Sequence, residues 1–119
     1  MPTLQHDEAT QDMFTALADP TRRGILELLA TKGHMSATDI YDRFSMSHPA
    51  VSQHLRVLRK AEMVRLEKDA QRHIYSLNRD GMRKLEEWVT RTTELWDERF
   101  EMLDRVLEAE KRRVAKKGR

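Results

Sequence analysis

The chain has 119 residues, of which 39% are hydrophobic and 35% are charged, so it is long enough for one small domain with a modest core. It contains no cysteine, which excludes disulfides, thiolate metal ligands and a cysteine nucleophile. No apolar run is long enough to span a membrane, and the polar, acidic N-terminus is unlike a secretory signal. We therefore expect a cytoplasmic protein with no membrane partner.

The net charge of +2 is distributed unevenly along the chain. Residues 1–42 carry a net charge of −4, residues 43–73 carry +4, and residues 74–119 carry +2. A polyanion such as DNA is attracted to the positive middle section. A basic surface with no nucleic-acid partner is the simpler alternative, and charge alone does not decide between the two.

Two helices are predicted near the N-terminus. Apolar residues at helical spacing predict a first helix over residues 7–18. Asp19 and Pro20 then mark a second start, since Asp is a good N-cap and Pro is tolerated in the first turn. The second helix is predicted over residues 20–31, and Gly33 suits the left-handed position that ends it.

The next two helices form the predicted recognition motif. Ser36 caps a short third helix over residues 37–44, and a tight connection leads to a fourth helix from Ser47 to Glu62. The fourth helix has an apolar stripe on one side and groups that can read base edges or hold phosphates on the other. Two helices joined by a short turn form a helix-turn-helix, although the fourth helix alone is also compatible with an ordinary surface helix. Its candidate DNA-binding residues are Ser47, His48, Pro49, Ser52, Gln53, His54 and Arg56.

The periodicity changes after Glu62. Two short runs rich in Val, Leu, Ile and Tyr flank the polar residues 69–71, which predicts a β-hairpin. A hairpin directly after a helix-turn-helix is a wing, so the predicted fold is a mainly α winged helix-turn-helix. Lys68 and Arg72 at the tip are further candidate DNA contacts. A solvated tip is a credible alternative for either residue singly.

One long helix is predicted from Arg79 to about Arg113, capped by Asn78 or Asp80. Its apolar stripe is longer than the core of a small domain, which indicates a partner surface, most simply a second copy of the chain. We expect a homodimer through the first and last helices, within a domain spanning residues 1–110, and a basic, disordered tail at 111–119. The candidate interface residues are Met13, Phe14, Leu17, Trp88, Leu95, Trp96, Phe100 and Leu103.

Three segments together resemble a known family, the ArsR-type (ArsR/SmtB) winged-helix repressors of bacteria. They read ALADPTRRGILELL, MSHPAVSQHLRVLRKAEMV and QRHIYSLN. The resemblance implies a homodimer that binds a partly palindromic double-stranded DNA operator, with contacts from Ser47 to Arg56 and from the wing. It also implies repression, often of the protein's own operon, that is usually relieved by a ligand. An organic ligand or partner at the dimer interface and constitutive repression both remain open.

The chain departs from the family pattern in two places. Glu62 stands where family members commonly have Gly, so the turn into the wing is expected to differ. The cysteine pair of the metal-sensing members is also missing, since the corresponding segment reads SATDIYD. The histidine ligands that other members carry on the last helix are missing too, since no His follows His73. The segment LWDERFEMLDRVL resembles a metal-independent branch of the family, and no cofactor is expected. A bridging site of His6 and His34 across a dimer is the remaining metal alternative.

Two other function classes were weighed against a DNA-binding repressor. A winged-helix module that binds only proteins usually lacks a basic recognition helix and wing, and this chain has both. The sequence shows no phosphate-binding Gly-rich loop among its four glycines and no nucleophile–base pair with recognisable spacing, which weighs against an enzyme. The sequence therefore favours a transcriptional regulator that is not an enzyme.

Overall fold

A computed structural model describes residues 7–117 of the chain. They form five helices and three strands, and the predicted fold class, mainly helical with a β-hairpin, is confirmed. The elements are α1 (Glu8–Leu17), α2 (Pro20–Lys32), β1 (His34–Ser36), α3 (Ala37–Tyr41), α4 (His48–Lys60), β2 (Val64–Asp69), β3 (Arg72–Leu77) and α5 (Arg79–Lys117).

The predicted start signals of the helices are confirmed by their capping bonds. The Asp19 carboxylate accepts from the backbone N–H of Arg22 at 3.1 Å and so caps α2. The hydroxyl groups of Ser36 and Ser47 accept in the same way at the starts of α3 and α4. Asn78, rather than Asp80, caps α5 by accepting from the Asp80 N–H at 3.2 Å. Each cap satisfies a backbone donor that the helix itself leaves without a partner.

The sheet contains a strand that the sequence analysis did not predict. Its order is β1-β3-β2, and both pairings are antiparallel. Met35 of β1 and Leu66 of β2 lie on either side of Tyr75 in β3. Three residues are too few to show a period of two, so β1 is defined by its pairing with β3, some forty residues away in the sequence.

The ends of two helices differ from prediction. Beyond Tyr41, the N–H groups of Arg43 and Phe44 bond to carbonyls three residues back, so residues 42–44 form tight turns rather than a continuation of α3. At the other end of the chain, α5 continues through residues 111–117, which were predicted to be disordered. Ion pairs three residues apart along the helix, including Glu110 with Arg113, support this extension. Residues 118–119 of the predicted tail lie outside the described range.

The turn from α4 into the wing keeps a left-handed residue although no glycine is present. Glu62 has φ 58°, its N–H bonds to Arg59 O at 2.9 Å, and the N–H of Met63 bonds to Leu58 O at 3.0 Å. This pair of bonds is a Schellman motif, which usually has Gly at the left-handed position. Glu62 therefore adopts the left-handed conformation that Gly adopts more readily.

Within the described range, residues 7–85 form one compact unit, and the remainder of α5 from Glu86 onwards forms a second. Contributions from α1, α2, α3, α4 and the sheet build the core of the first unit, and Met82 and Leu85 pack against it. No helix among residues 7–117 combines the length and apolarity needed to cross a membrane. The largest fully buried side chains are Ile25, Leu29, Ile40, Val51, Leu55, Leu58 and Met63.

Candidate nucleic-acid interface

The predicted apolar stripe of α4 faces the core. Val51, Leu55 and Leu58 are at most 1% exposed, which leaves the opposite side of α4 to solvent. Gln53 and Arg56 lie on that side and are exposed. The burial of one face therefore determines which polar groups α4 can present to a ligand.

Gln53 and Arg56 form a hydrogen-bonded pair on the exposed face. The Arg56 guanidinium donates from Nη1 to the Gln53 Oε1 at 2.7 Å. This bond leaves the Gln53 amide NH₂ and the remaining guanidinium N–H groups pointing to solvent as donors. Arginine and glutamine are the side chains that form two-bond contacts with guanine and adenine in a major groove.

The N-terminal part of α4 is held in a defined conformation. The Ser47 hydroxyl accepts from the backbone N–H of Ala50 at 3.3 Å, and Pro49 occupies the first turn. Ser47, His48 and Pro49 are all exposed, so this helix end is accessible to a phosphate or a base. Backbone N–H groups at a helix N-terminus attract anions.

His54 does not lie on the exposed face with Gln53 and Arg56. Its Nδ1 lies 3.2 Å from Arg22 Nη1 and 3.8 Å from the Asp19 carboxylate, and its side chain is only 20% exposed. The prediction of His54 as a DNA contact is therefore corrected: the ring connects α4 to α2 inside the first unit. With 3.6 residues per turn, position 54 lies roughly 60° from the centre of the buried stripe, so helical spacing already places the ring beside the buried face, and the contacts with α2 fix where it points.

Arg22 is a structural residue that sequence reasoning did not single out. Its Nε donates to Ala16 O at 2.8 Å and its Nη2 to Thr15 O at 2.7 Å, while Arg23 donates to Leu17 O at 2.6 Å. These carbonyls belong to the last turn of α1, where the backbone favours a positive charge. The Thr15 carbonyl also accepts from the Ala18 N–H at 3.3 Å. The only sequence feature that could have indicated these contacts is the pair of arginines, Arg22 and Arg23, just after the boundary between α1 and α2.

Asp19 completes this junction between α1, α2 and α4. Its hydrogen bond from the Arg22 backbone N–H lowers the pKa of the Asp19 carboxyl, and the nearby His54 and the Arg22 charge lower it further, against some desolvation. The carboxylate therefore stabilises the junction at neutral pH, and this contribution is lost as the pH falls through its depressed pKa.

Ser52 is half-buried and contacts α3 rather than standing free on α4. Its Oγ lies 2.7 Å from the hydroxyl of Tyr41, whose ring also stacks on the His48 ring with centroids 4.5 Å apart. The sequence analysis assigned Tyr41 no DNA-related role. A tyrosine at the end of the helix preceding a recognition helix was the only signal for this contact.

The wing presents two cations near its tip. Asp69 and Arg72 are paired across a two-residue turn of Ala70 and Gln71, and Lys68 precedes this pair. Lys68 and Arg72 are exposed, as the sequence pattern predicted. Asp69 was predicted to lie in the turn but belongs to β2, and Ala70 supplies the positive φ of 57° that such a short turn requires.

The candidate interface residues fall into three groups by exposure. Met13 is only 4% exposed, so it belongs to the core of the single chain and is withdrawn from the interface. Phe14, Leu17 and Trp88 are half-buried. The remaining candidates lie in the second unit, and each has at least half of its surface exposed: Leu95, Trp96, Phe100 and Leu103.

No group of three or more metal-ligating side chains is found among residues 7–117. His34 is exposed on β1. The alternative bridging site also requires His6, which lies outside the described residues.

Residues 17–67, which contain the helix-turn-helix, match the family described as a helix-turn-helix domain. The chain is 40% identical over 78 residues to the transcriptional repressor SdpR of Bacillus subtilis (strain 168), covering 66% of this chain and 86% of SdpR. It is 38% identical over 68 residues to an arsenical resistance operon repressor of Staphylococcus xylosus, covering 57% and 64%.

The fold is likewise similar to a solved structure, the ArsR-like transcriptional regulator from Rhodococcus sp. RHA1. The TM-score is 0.77 at 25% identity, and the match covers 86% of this chain and 93% of that one. Fold, exposed α4 face and relatives together define a DNA-binding transcriptional regulator, a class distinct from enzymes. The chain belongs to the ArsR family of these regulators.

Proposed function

We propose that this regulator is a homodimeric repressor that binds a partly palindromic operator and is not controlled by metal ions. The observation that carries the proposal is the exposed, hydrogen-bonded pair of Gln53 and Arg56 on α4. Ser47, His48, Pro49 and Ser52 add contacts from the same helix, and the wing adds Lys68 and Arg72. Repression is supported by the naming of the two similar curated proteins as repressors. A regulator of chromosomal genes acts in the cytoplasm.

The two parts of the proposed interface contribute differently. Bases are read in the major groove by paired donors and acceptors, which suits the exposed face of α4. The cations of the wing contact phosphates, which hold the protein in register on any sequence. Variants in α4 should therefore change sequence preference, and variants in the wing should change overall affinity.

Gln53→Ala and Arg56→Ala are each expected to weaken operator binding by about 1–3 kcal/mol and to relax the sequence preference. Because Arg56 donates to Gln53, the double variant should lose less than the two single losses added together. Lys68→Ala and Arg72→Ala should weaken binding to all duplexes and each reduce the salt slope by about one. Fluorescence anisotropy on a selected operator and a scrambled duplex at several salt concentrations measures both effects.

Lys32→Ala is the control for charge removal, because Lys32 is exposed at the end of α2 and outside the proposed interface. It should bind like the wild type. Wild-type binding by all four interface variants would show that the recognition helix and wing are misplaced.

Dimerisation is supported by the exposed apolar stripe of the second unit. Val89, Trp96 and Leu103 recur every seven residues, as do Phe100, Leu107 and Val114, which is the spacing of a two-helix seam. These side chains are between 48% and 65% exposed in the single chain. A second copy of α5 is the occupant with matching chemistry, and a two-fold dimer binds half-sites about one helical turn apart, or a multiple of that.

Charge along α5 favours an antiparallel pair of helices. Residues 86–110 carry a net charge of −6, and residues 111–117 carry +5. An antiparallel pair brings the basic end of one helix beside the acidic stretch of the other, whereas a parallel pair aligns like charges. The charge pattern therefore supports dimerisation that is weakened by salt.

Metal independence is supported by the donor groups that the chain lacks. Soft metals such as Zn(II), Cu(I) and As(III) favour thiolate or clustered imidazole ligands, and the sequence has no cysteine and no histidine after His73. The Staphylococcus xylosus relative is named for arsenical resistance. This chain has no cysteine thiolates with which to bind arsenic in a similar response.

Stoichiometric Zn(II), Cu(I) or As(III) is accordingly expected to leave the protein–operator complex intact. The measurement is a metal titration of the complex at fixed salt, followed by anisotropy, with a chelator added at the end to show reversibility. Release of DNA by any of the three, abolished by His6→Ala or His34→Ala, would make the protein a metal sensor and contradict the proposal.

A further inference from the structure

Tyr41 contacts two of the residues that the proposed function assigns to DNA. It is the last residue of α3, the first helix of the helix-turn-helix, and it is half-buried. Its hydroxyl lies 2.7 Å from Ser52 Oγ. Its ring stacks on the ring of His48 with an interplanar angle of 17°. One side chain therefore restrains two positions of α4 that are a helical turn apart.

The hydroxyl pair determines what Ser52 can offer to a ligand. The two hydroxyl groups carry one proton each, and only one of these protons is donated in the hydrogen bond between them. The bond can form in either direction. With Tyr41 as the donor, which the greater acidity of a phenol favours, the Ser52 proton is left for an outside acceptor. The bond also fixes the Ser52 rotamer and polarises its remaining O–H group. The acceptors that base edges offer in the major groove are purine N7, guanine O6 and thymine O4.

The stacked rings have a parallel effect at the start of α4. His48 is the first residue of the helix and its ring is exposed. A free histidine there would lose rotamer entropy on binding DNA, whereas a ring already stacked on Tyr41 has lost much of it before binding. The ring nitrogens are thus held beside the helix N-terminus, where phosphates are attracted.

We infer that Tyr41 is a positioning residue for sequence recognition, which orients the Ser52 hydroxyl and the His48 ring before DNA binds. The inference rests on the proposed function of α4 as the DNA-reading helix. It goes beyond that function because it assigns part of the specificity to a residue of α3. The competing role for Tyr41 is a brace between α3 and α4 that supports folding alone.

A double-mutant cycle separates the two roles. Operator and scrambled-duplex affinities are measured at one salt concentration for Tyr41→Phe, Ser52→Ala and the double variant. Each single variant should lose about three- to tenfold in operator affinity with scrambled-duplex affinity unchanged, in line with one hydrogen bond. The double variant should lose no more than the weaker-binding single variant, because both changes remove the same oriented donor.

A third variant tests the ring. Tyr41→Phe keeps the stack on His48, whereas Tyr41→Leu removes both the hydroxyl and the stack. We expect Tyr41→Leu to lose a further few-fold in operator affinity. This further loss should disappear in a His48→Ala background. Thr38→Ala is the matched control, because it removes an exposed hydroxyl from the same helix and should leave both affinities unchanged.

Three outcomes overturn the inference. They are additive losses in the double variant, wild-type binding by Tyr41→Phe, and an equal loss on operator and scrambled duplex together with a lower melting temperature. Gln53→Ala and Arg56→Ala are measured in parallel as a reference. If they lose operator affinity while Tyr41→Phe does not, the inference fails and the proposed function stands. If they also bind like the wild type, the proposed function fails with it.

Discussion

Trp96→Asp combined with Phe100→Asp is expected to convert the proposed dimer into monomers and to reduce operator affinity about 100-fold or more, because a monomer binds one half-site and gains nothing from a second, linked half-site. The two rings lie 6.2 Å apart on α5 and are 65% and 52% exposed in the single chain. Two carboxylates on the proposed apolar seam would require burial of unpaired charge on association. Sedimentation velocity gives the assembly state, and anisotropy gives the affinity.

The control for this variant introduces the same number of charges elsewhere on α5. Thr90 and Ala115 are exposed and, by helical periodicity, lie outside the apolar stripe. Thr90→Asp with Ala115→Asp should remain dimeric and bind the operator. Trp96 and Phe100 are absent from the buried core of the first unit, so circular dichroism should show that unit folded in both variants. A wild-type protein that is monomeric at micromolar concentration and binds its operator tightly would contradict the dimer.

Gly81→Ala is expected to destabilise the protein by about 3 kcal/mol, although alanine is the better helix former. Gly81 is buried in the first turn of α5, against the backbone that follows α4. A Cβ there would lie 1.9 Å from Glu62 O and 2.8 Å from Glu62 C. This overlap is with backbone, so no change of rotamer relieves it. Urea denaturation at one fixed protein concentration measures the loss.

Gly24→Ala is the matched control, since it makes the same substitution in a helix with room for a methyl group. A Cβ at Gly24 would lie 3.6 Å from the Phe44 ring, an ordinary contact. This variant should be stabilised by about 0.5–1 kcal/mol through helix propensity and a less flexible unfolded state. A Gly81→Ala variant as stable as Gly24→Ala would show that the start of α5 does not pack against Glu62 as closely as the structure has it.

The sequence predicted the features that depend on residues close together in the chain. Asp19, Ser36 and Ser47 were recognised as helix starts because a capping side chain acts on N–H groups two or three residues ahead. The buried stripe of α4 and the two strands of the wing were recognised because burial of one face imposes a period of 3.6 or 2. The helix-turn-helix and its class of function followed from these local patterns together with the charge of residues 43–73.

Features that depend on contacts distant in sequence were not predicted. The strand β1 exists through its pairing with β3, and the His54 ring contacts Arg22 of α2 and its cap Asp19 instead of joining Gln53 and Arg56 on the proposed DNA-facing side. Met13 and Leu95 both lie on apolar helical faces, yet the first is buried and the second is 65% exposed. A pattern shows that a face is apolar, but it does not show which surface covers it.

Glu62 and Gly81, which lie against each other where the start of α5 meets the turn after α4, show most directly which features the sequence predicts and which it does not. The sequence identified Glu62 as unusual, and the structure shows that it adopts the left-handed conformation at φ 58° without a glycine. Gly81, which carried no signal in the sequence, is the position where only glycine fits. The sequence determined the five helices, the two strands of the wing, the capping residues and the face that α4 buries, because these depend on neighbours within a turn or two. Only the tertiary structure decided where backbones touch, because that distance is set by packing between elements far apart in the chain.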